Sequence, residues 1–334
     1  MSSTPRTAAA SRSTSISPAT TCAWPRRSRS NGRRLSDLLS NSRRIIVFGD
    51  VVDDVVVVPD GAIRDDTDTP ASIRNRAGGS AANAAAWMGS LGASVDFIGL
   101  VGKDDVPRHS ALLADSGVTP HLSGHDELPT GAIIVIVAGE RRTMLTEKGA
   151  NAALSPDSVP NRLLAGAAVL HFTGYSVFSQ SDQAALRGLL QRASALGVRV
   201  SVDPASAGFI SDFGVDRFLD TIDGAHLFFP NLEEGRVLTG LDDPIEIAER
   251  LGERFEIVAL TLDTAGVVVA ERGMPTTMVA AIPVTVVDPI GAGDAFAAGF
   301  LAAWVSGAGA MAAAAAGARA GALAVATIGG RPRS

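Results

Sequence analysis

From Arg44 onward, short apolar runs alternate with stretches of helical periodicity, and that alternation leaves few architectures open to the chain. Strand-like runs fall at 45–48, 51–58, 95–100, 132–138, 169–172, 198–202, 227–229, 257–262, 267–270 and 284–287. Helical patterns occupy 81–91, 107–116, 182–196, 232–238, 244–254, 294–305 and 310–326. Strand then helix, repeated, predicts an α/β fold: a doubly wound, mainly parallel sheet with helices on both faces. Two regions, 51–76 and 130–148, are strand-like but lack a helix long enough for a crossover. They read as antiparallel excursions from the main sheet that together form a small β-strand lid. The expected organisation is one domain over 44–334 carrying these lid segments. In such sheets ligands sit outside the carboxyl ends of the strands, so the turns that follow the strands are where function is sought.

Composition narrows the function. No apolar run has the length and freedom from charge of a membrane span; the Ala-rich stretch 312–326 contains Arg319 and reads as a buried helix. The single cysteine, Cys22, excludes an internal disulfide and a thiolate metal site, and fits a reducing, cytoplasmic location. The net charge of −6 conceals an asymmetry: residues 1–44 hold nine arginines against one acid, Asp37, leaving −14 for the rest. An acidic body repels nucleic acid, so no nucleic-acid partner and no membrane partner is expected. The Ser-, Thr- and Arg-rich segment 1–43 lacks apolar periodicity and is expected to be a disordered basic tail. The five histidines show no metal-ligand spacing, so zinc is not predicted.

The most informative stretch runs from Val286 to Phe296, an expected strand feeding through a small-residue turn into an Ala-rich helix. Gly291 and Gly293 let the backbone approach a ligand, and the first amides of the helix, at Ala292, Gly293 and Asp294, point outward without partners. That arrangement makes an anion hole with Asp294 at its mouth, where a base aimed at a reacting hydroxyl makes sense of an acid. The plainer reading, an ordinary N-terminal helix acid behind a tight turn, stays open on these residues alone. No third glycine completes a dinucleotide fingerprint, and no Gly-Lys-Ser/Thr forms a Walker A loop.

Residues 288–300 resemble the C-terminal signature of the ribokinase-like (PfkB) carbohydrate kinases, and other matches follow in family order. Gly49-Asp50-Val51-Val52-Asp53-Asp54 resembles the motif ending in the substrate aspartate. Gly78-Gly79-Ser80-Ala81-Ala82-Asn83 resembles the glycine pair and asparagine that hold substrate, with a plain helix cap at Ser80 as the bland alternative. Residues 99–104, 139–143 with 149–151, and Asn231-Leu232-Glu233-Glu234 match the following strand, the lid segment and the Asn-x-x-Glu motif.

The resemblance implies a ribokinase-like fold and ATP-dependent phosphorylation of a hydroxymethyl group on a small sugar. Asp294 would be the base, with Gly291, Ala292 and Gly293 forming the anion hole. Substrate would be held by Asp54, Gly78, Gly79 and Asn83; period-2 alternation places Asp50 and Asp54 on one face and Asp53 on the other. Asn231, Glu234, Thr261, Gly266 and Asp288 would serve the nucleotide, and Glu234 would organise Mg2+ indirectly. A monovalent cation such as K+ is implied near Asp288 and residues 328–330, and a homodimer through the lid strands.

A nucleoside kinase is the alternative. Behind it come a phosphosugar kinase, for which Arg76, Arg141 and Arg142 are the clustered cations, and a non-catalytic sugar-binding regulator. One departure stands out: where the family commonly has Thr-x-Gly-x-x-Gly, this chain has Asp263 in place of the first glycine. A carboxylate beside a triphosphate is unfavourable, which bears on the choice of phosphoryl donor. Asp203 reads as a strand-end acid or a further site residue.

Overall fold

The computed structural model describes residues 43–138, 141–179 and 183–332, together with Met1. All of the expected basic tail except Met1 and Arg43 thus lies outside the described residues. The strands in chain order are β1 (Arg44–Phe48), β2 (Val52–Pro59), β3 (Ala71–Gly78), β4 (Ser94–Gly102), β5 (Val118–His125), β6 (Gly131–Ala138) and β7 (Arg141–Glu147), followed by β8 (Ala167–Thr173), β9 (Arg199–Asp203), β10 (Leu227–Phe228), β11 (Ile257–Thr261), β12 (Val267–Glu271) and β13 (Thr277–Val279). The main sheet has the order β13-β12-β11-β10-β9-β8-β1-β4-β5, parallel from β11 to β5 and antiparallel at β11/β12 and β12/β13.

β1 shows how the pattern produces the architecture. Its apolar residues run consecutively because both faces are covered: Ile45 and Val47 enter one core, Ile46 and Phe48 the other. Helices Ser80–Ser90, Ala292–Val305 and Ala310–Val325 complete the first core; Gln183–Ala195, Val215–Thr221 and Pro244–Gly252 complete the second. The small residues of the first set allow close approach. A Cβ on Gly299 would lie 2.7 Å from both the Ala316 carbonyl and the Ala320 methyl. Among the described residues no helix is long and apolar enough to cross a membrane.

Beyond elements the sequence pattern leaves unmarked, such as β13 and the helices Gly174–Phe178, Ala207–Phe213 and Val215–Thr221, three differences are instructive. Residues 284–287 are not a strand: Val284, Val286 and Val287 are 41–54% exposed, and the amides of Val287 and Asp288 both go to the Val325 carbonyl. β-Branched residues favour pleated backbone, but here two of the amides go to a helix end and, among the described residues, 284–287 pair with no strand. β5 was hidden by Pro120, which is tolerated because β5 is the sheet edge. The second sheet, β3-β2-β6-β7, contains the two expected antiparallel hairpins, but they join through a parallel β2/β6 pair. β2 follows β1 and β6 follows β5, two parallel strands of the main sheet, so both excursions leave in the same direction.

Candidate active site

A cavity of about 530 Å³ lies between the carboxyl ends of the main sheet and the inner face of the second sheet. Val52, Asp54, Ile133, Val135 and Met144 line it from the lid. Asp50 follows β1, Asp203 ends β9, Asn231 follows β10 and Thr261 ends β11; all four line the opposite wall with Asp294.

Asp294 is the third residue of helix Ala292–Val305, whose N-cap Gly291 is left-handed (φ 78°) and offers no side-chain cap. A Cβ at Gly291 would stand 2.6 Å from the Gly330 Cα, so the bend requires glycine twice over, by conformation and by space. The first-turn amides have no acceptor within their own helix, and residues 291–294 face the cavity; the Ala292 amide makes one long bond back to the Pro289 carbonyl (3.3 Å). The Asp294 carboxylate does not cap its helix. It accepts from Ser80 Oγ (2.6 Å) and Asn83 Nδ2 (3.1 Å), both on helix Ser80–Ser90. Burial pushes its pKa up to about 8; the charges of Asp203 and Asp50 act in the same direction, and the two hydrogen bonds oppose them.

The bland alternative at this motif, a plain helix cap at Ser80, does not hold. The N-cap is Gly79 (φ 95°), and Asp50 caps the helix from outside by accepting from the Ser80 and Ala81 amides (2.8 and 3.1 Å). That releases the Ser80 hydroxyl to reach Asp294. Asn83 lines the cavity as expected but spends its amide on Asp294.

On the lid, Asp54 faces the cavity, across from Asp50, while Asp53 is held by Arg108 outside it (2.6 and 2.8 Å). Burial pushes the Asp54 pKa up to about 6 against the opposing charge of Arg331. Gly78 does not line the cavity: a Cβ there would collide with the Asp54 carboxylate, so this glycine makes room for it. Gly79 does line it, and a Cβ would come 2.5 Å from the Asp50 carbonyl.

On the opposite wall, Asn231 and Glu234 form a capping box at the start of helix Leu232–Thr239. Asn231 Oδ1 accepts from the Glu234 amide (2.9 Å) and Glu234 Oε2 from the Asn231 amide (2.8 Å). Glu234 is buried near Asp203; burial raises both pKa values, and the Glu234 charge raises Asp203 further. Among the described residues no group of three or more His, Cys, Asp or Glu could hold a metal. Two carboxylates and an amide oxygen suit a hard cation that keeps its waters and shares ligands with phosphate, as Mg2+ does. Thr261 lines the cavity and bridges to Asn231.

Two expected nucleotide residues lie elsewhere. Gly266 (φ 107°) turns the chain between β11 and β12 against residues 279–281. Asp288 accepts from the Ile290 and Gly329 amides and fastens the bend to the C-terminal segment. Asp263 is exposed and off the cavity lining at φ 48°, in the left-handed backbone that favours glycine.

Sequence reasoning missed an aromatic wall. Tyr175, Phe178 and Phe209 line the cavity, Phe178 stacked on Phe209 at 5.6 Å and Tyr175 edge-on to Phe209 at 5.9 Å. They come from two short helices that follow β8 and β9, Gly174–Phe178 and Ala207–Phe213, which the sequence pattern did not mark. Arg76 lies off the cavity against Gly329; the side chains of Arg141 and Arg142 are outside what is described. Lys148 is the cation on the cavity wall among the described residues.

Comparison with known proteins follows the same lines. The pfkB family carbohydrate kinase profile matches residues 42–333. A fructokinase of Klebsiella pneumoniae is 30% identical over 275 residues, 78% of this chain and 83% of its own. An ATP-dependent ribose-1-phosphate kinase of Halopiger xanaduensis is 33% identical over 256 residues, 72% of this chain and 78% of its own. The crystal structure of adenosine kinase from Sinorhizobium meliloti superposes with a TM-score of 0.79 at 26% identity, covering 87% of this chain and 96% of that one.

Proposed function

As a member of the pfkB family of carbohydrate kinases, this chain is an ATP-dependent phosphotransferase, and we propose that it phosphorylates a hydroxymethyl group of a small sugar with Asp294 as the base. The acceptor oxygen attacks the γ-phosphorus, the bond from that phosphorus to the β–γ bridging oxygen breaks, and the acceptor's proton passes to Asp294. Amides of the Gly291–Asp294 turn donate to the equatorial oxygens as charge spreads over them. Asp54 accepts from sugar hydroxyls, since a carboxylate can take two donors at once. Lid closure excludes water. Asp203 and Glu234, with Asn231, would hold Mg2+ through water, and the ion would supply charge neutralisation on the phosphates.

The observation that carries this reading is the Asp294 carboxylate, turned off its own helix by Ser80 and Asn83 and held beside open amides. Measuring ADP release over a panel of sugars and nucleosides tests it: wild type turns over at least one acceptor, and Asp294→Asn does not. An Asn variant at wild-type rate would refute the base assignment.

A second reading, a nucleoside as acceptor, is favoured by the Tyr175–Phe178–Phe209 wall facing apolar Val135 and Met144, which suits a flat base better than a monosaccharide. The same panel decides by the ratio of kcat/KM for adenosine to that for ribose and fructose. We extend the proposal to one kinase domain over 44–334 behind a basic tail, to a cytoplasmic location, to K+ near Asp288, and to a homodimer through the lid's outer strands β3 and β7. Light scattering tests the last.

A further inference from the structure

Arg331 is a charged side chain that the mechanism above leaves unused. Its Nη2 donates to the Gly78 carbonyl at the lid hinge (2.9 Å) and its Nε to Asn83 Oδ1 (3.3 Å). The backbone leading into it is fastened twice: the Gly330 carbonyl accepts from Trp87 Nε1 (2.9 Å), and the Gly329 amide donates to Asp288 Oδ2 (3.0 Å). A Cβ at Gly330 would collide with the Asn83 amide. The C-terminal strap therefore packs directly on the group that touches Asp294.

An asparagine amide can sit either of two ways round. Here one side faces a guanidinium, which only donates, and the other an Asp294 carboxylate, which accepts. One orientation satisfies both, Oδ1 toward Arg331 and Nδ2 toward Asp294; the flipped amide would set donor against donor and acceptor against acceptor. The same guanidinium is the foremost positive charge acting on Asp54, ahead of Arg76, in a corner that also holds Asp50 and Asp53. Arg331 in turn faces Asp54, Asp53, Asp50 and Arg108, and its Nη1 is buried without a hydrogen-bond partner among the described residues.

We infer that Arg331 is a positioning residue for phosphoryl transfer: it locks the Asn83 amide toward Asp294 and sets a compensating charge opposite Asp54. The inference rests on the kinase reading with Asp294 as base. It separates two effects that a merely structural arginine would not separate. Lysine keeps the charge but has no planar fork to serve Gly78 and Asn83 together, whereas methionine keeps neither.

The test uses the full chain as Arg331→Lys and Arg331→Met. For Arg331→Lys, kcat falls about tenfold and the acid limb of kcat/KM for the acceptor stays in place. For Arg331→Met, kcat falls about 10- to 100-fold and the acid limb moves to higher pH. A 13C carboxyl titration of Asp54, identified by difference from Asp54→Asn, reads the charge effect without turnover; its midpoint moves up in the Met variant and not in the Lys variant. Wild-type kcat in both variants with limb and midpoint unmoved overturns the inference, whatever the melting temperature does. A wild type that phosphorylates nothing on the panel, with the Asp54 midpoint moving as stated, overturns the kinase reading and supports the electrostatic role of Arg331.

Discussion

Helices Leu232–Thr239 and Ala292–Val305 both begin at the cavity, and both carry a carboxylate at the third position, Glu234 and Asp294. Glu234 bends back to its own N-cap amide while Asn231 takes the amide of Glu234, so that helix end is closed. Asp294 has no such partner in its own first turn: the N-cap is Gly291, and the carboxylate is drawn off by Ser80 and Asn83. The same acid position thus yields a closed cap behind asparagine and an open anion site behind glycine. One-residue differences at an N-cap decide whether a helix start is structural or chemical.

The largest effect follows from Asp294→Asn. Its amide can still face Ser80 and Asn83, so the fold survives, but it cannot take the acceptor's proton, and turnover falls by about 10²- to 10⁴-fold with acceptor binding nearly unchanged. A coupled ADP assay and calorimetry with the acceptor check the two halves. Glu234→Gln asks the same of the closed end. Glutamine can still accept from the Asn231 amide, so stability is kept. Loss of its charge beside Asp203 cuts the rate about tenfold at limiting Mg2+, and raising Mg2+ restores part of it. An equal, Mg2+-independent loss in both variants would erase the distinction between the two helix ends.

Ser80→Ala sharpens the comparison through pH. A hydrogen bond to a carboxylate favours its ionised form, so removing the Ser80 bond raises the pKa of Asp294 beyond about 8, and the acid limb of kcat/KM moves to higher pH. The same elevation governs stability. The folded value of about 8 exceeds the ordinary 3.8, so the folded chain binds this proton more tightly than the unfolded chain; the associated stability is full below about pH 3.8 and is lost as pH rises through 8. Asp294→Asn escapes that loss, and its melting temperature gains more on wild type at pH 9 than at pH 6. Equal gains at both pH values would mean that Asp294 carries its charge in the folded protein without penalty.

The features legible in the sequence are local. Ile45 to Phe48 reads as a strand buried on both faces because every residue is apolar, and the turn at Gly291 announces itself because left-handed backbone selects glycine. Asp50 and Asp54 both line the cavity, but strand alternation does not put them there: Asp50 lies in the link between β1 and β2, outside either strand. What stayed hidden depends on partners far away in the chain. Ser80 meets Asp294 across 214 residues, and only Asp50's capping of the same helix frees the hydroxyl. The aromatic wall joins Tyr175 to Phe209 across two helices that follow different strands. The valines at 284–287 have strand propensity, but whether a strand forms depends on an edge being near, and that is a tertiary fact.

Asp263→Gly is the smallest effect and bears on the nucleotide wall shared by Thr261 and Asn231. A carboxylate beside a triphosphate would weaken ATP binding, so a glycine there would lower KM for ATP if Asp263 reached the cavity. It does not: the side chain is exposed, off the cavity lining, and the residue keeps the left-handed turn at φ 48°. Aspartate pays a modest conformational cost in that region, which glycine removes, while the added freedom of glycine in the unfolded chain offsets the gain. Stability should therefore change by no more than about 1 kcal/mol, and KM for ATP should stay within about twofold of wild type. A KM lowered tenfold would put the Asp263 carboxylate next to bound phosphate and extend the acidic side of the cavity past Thr261.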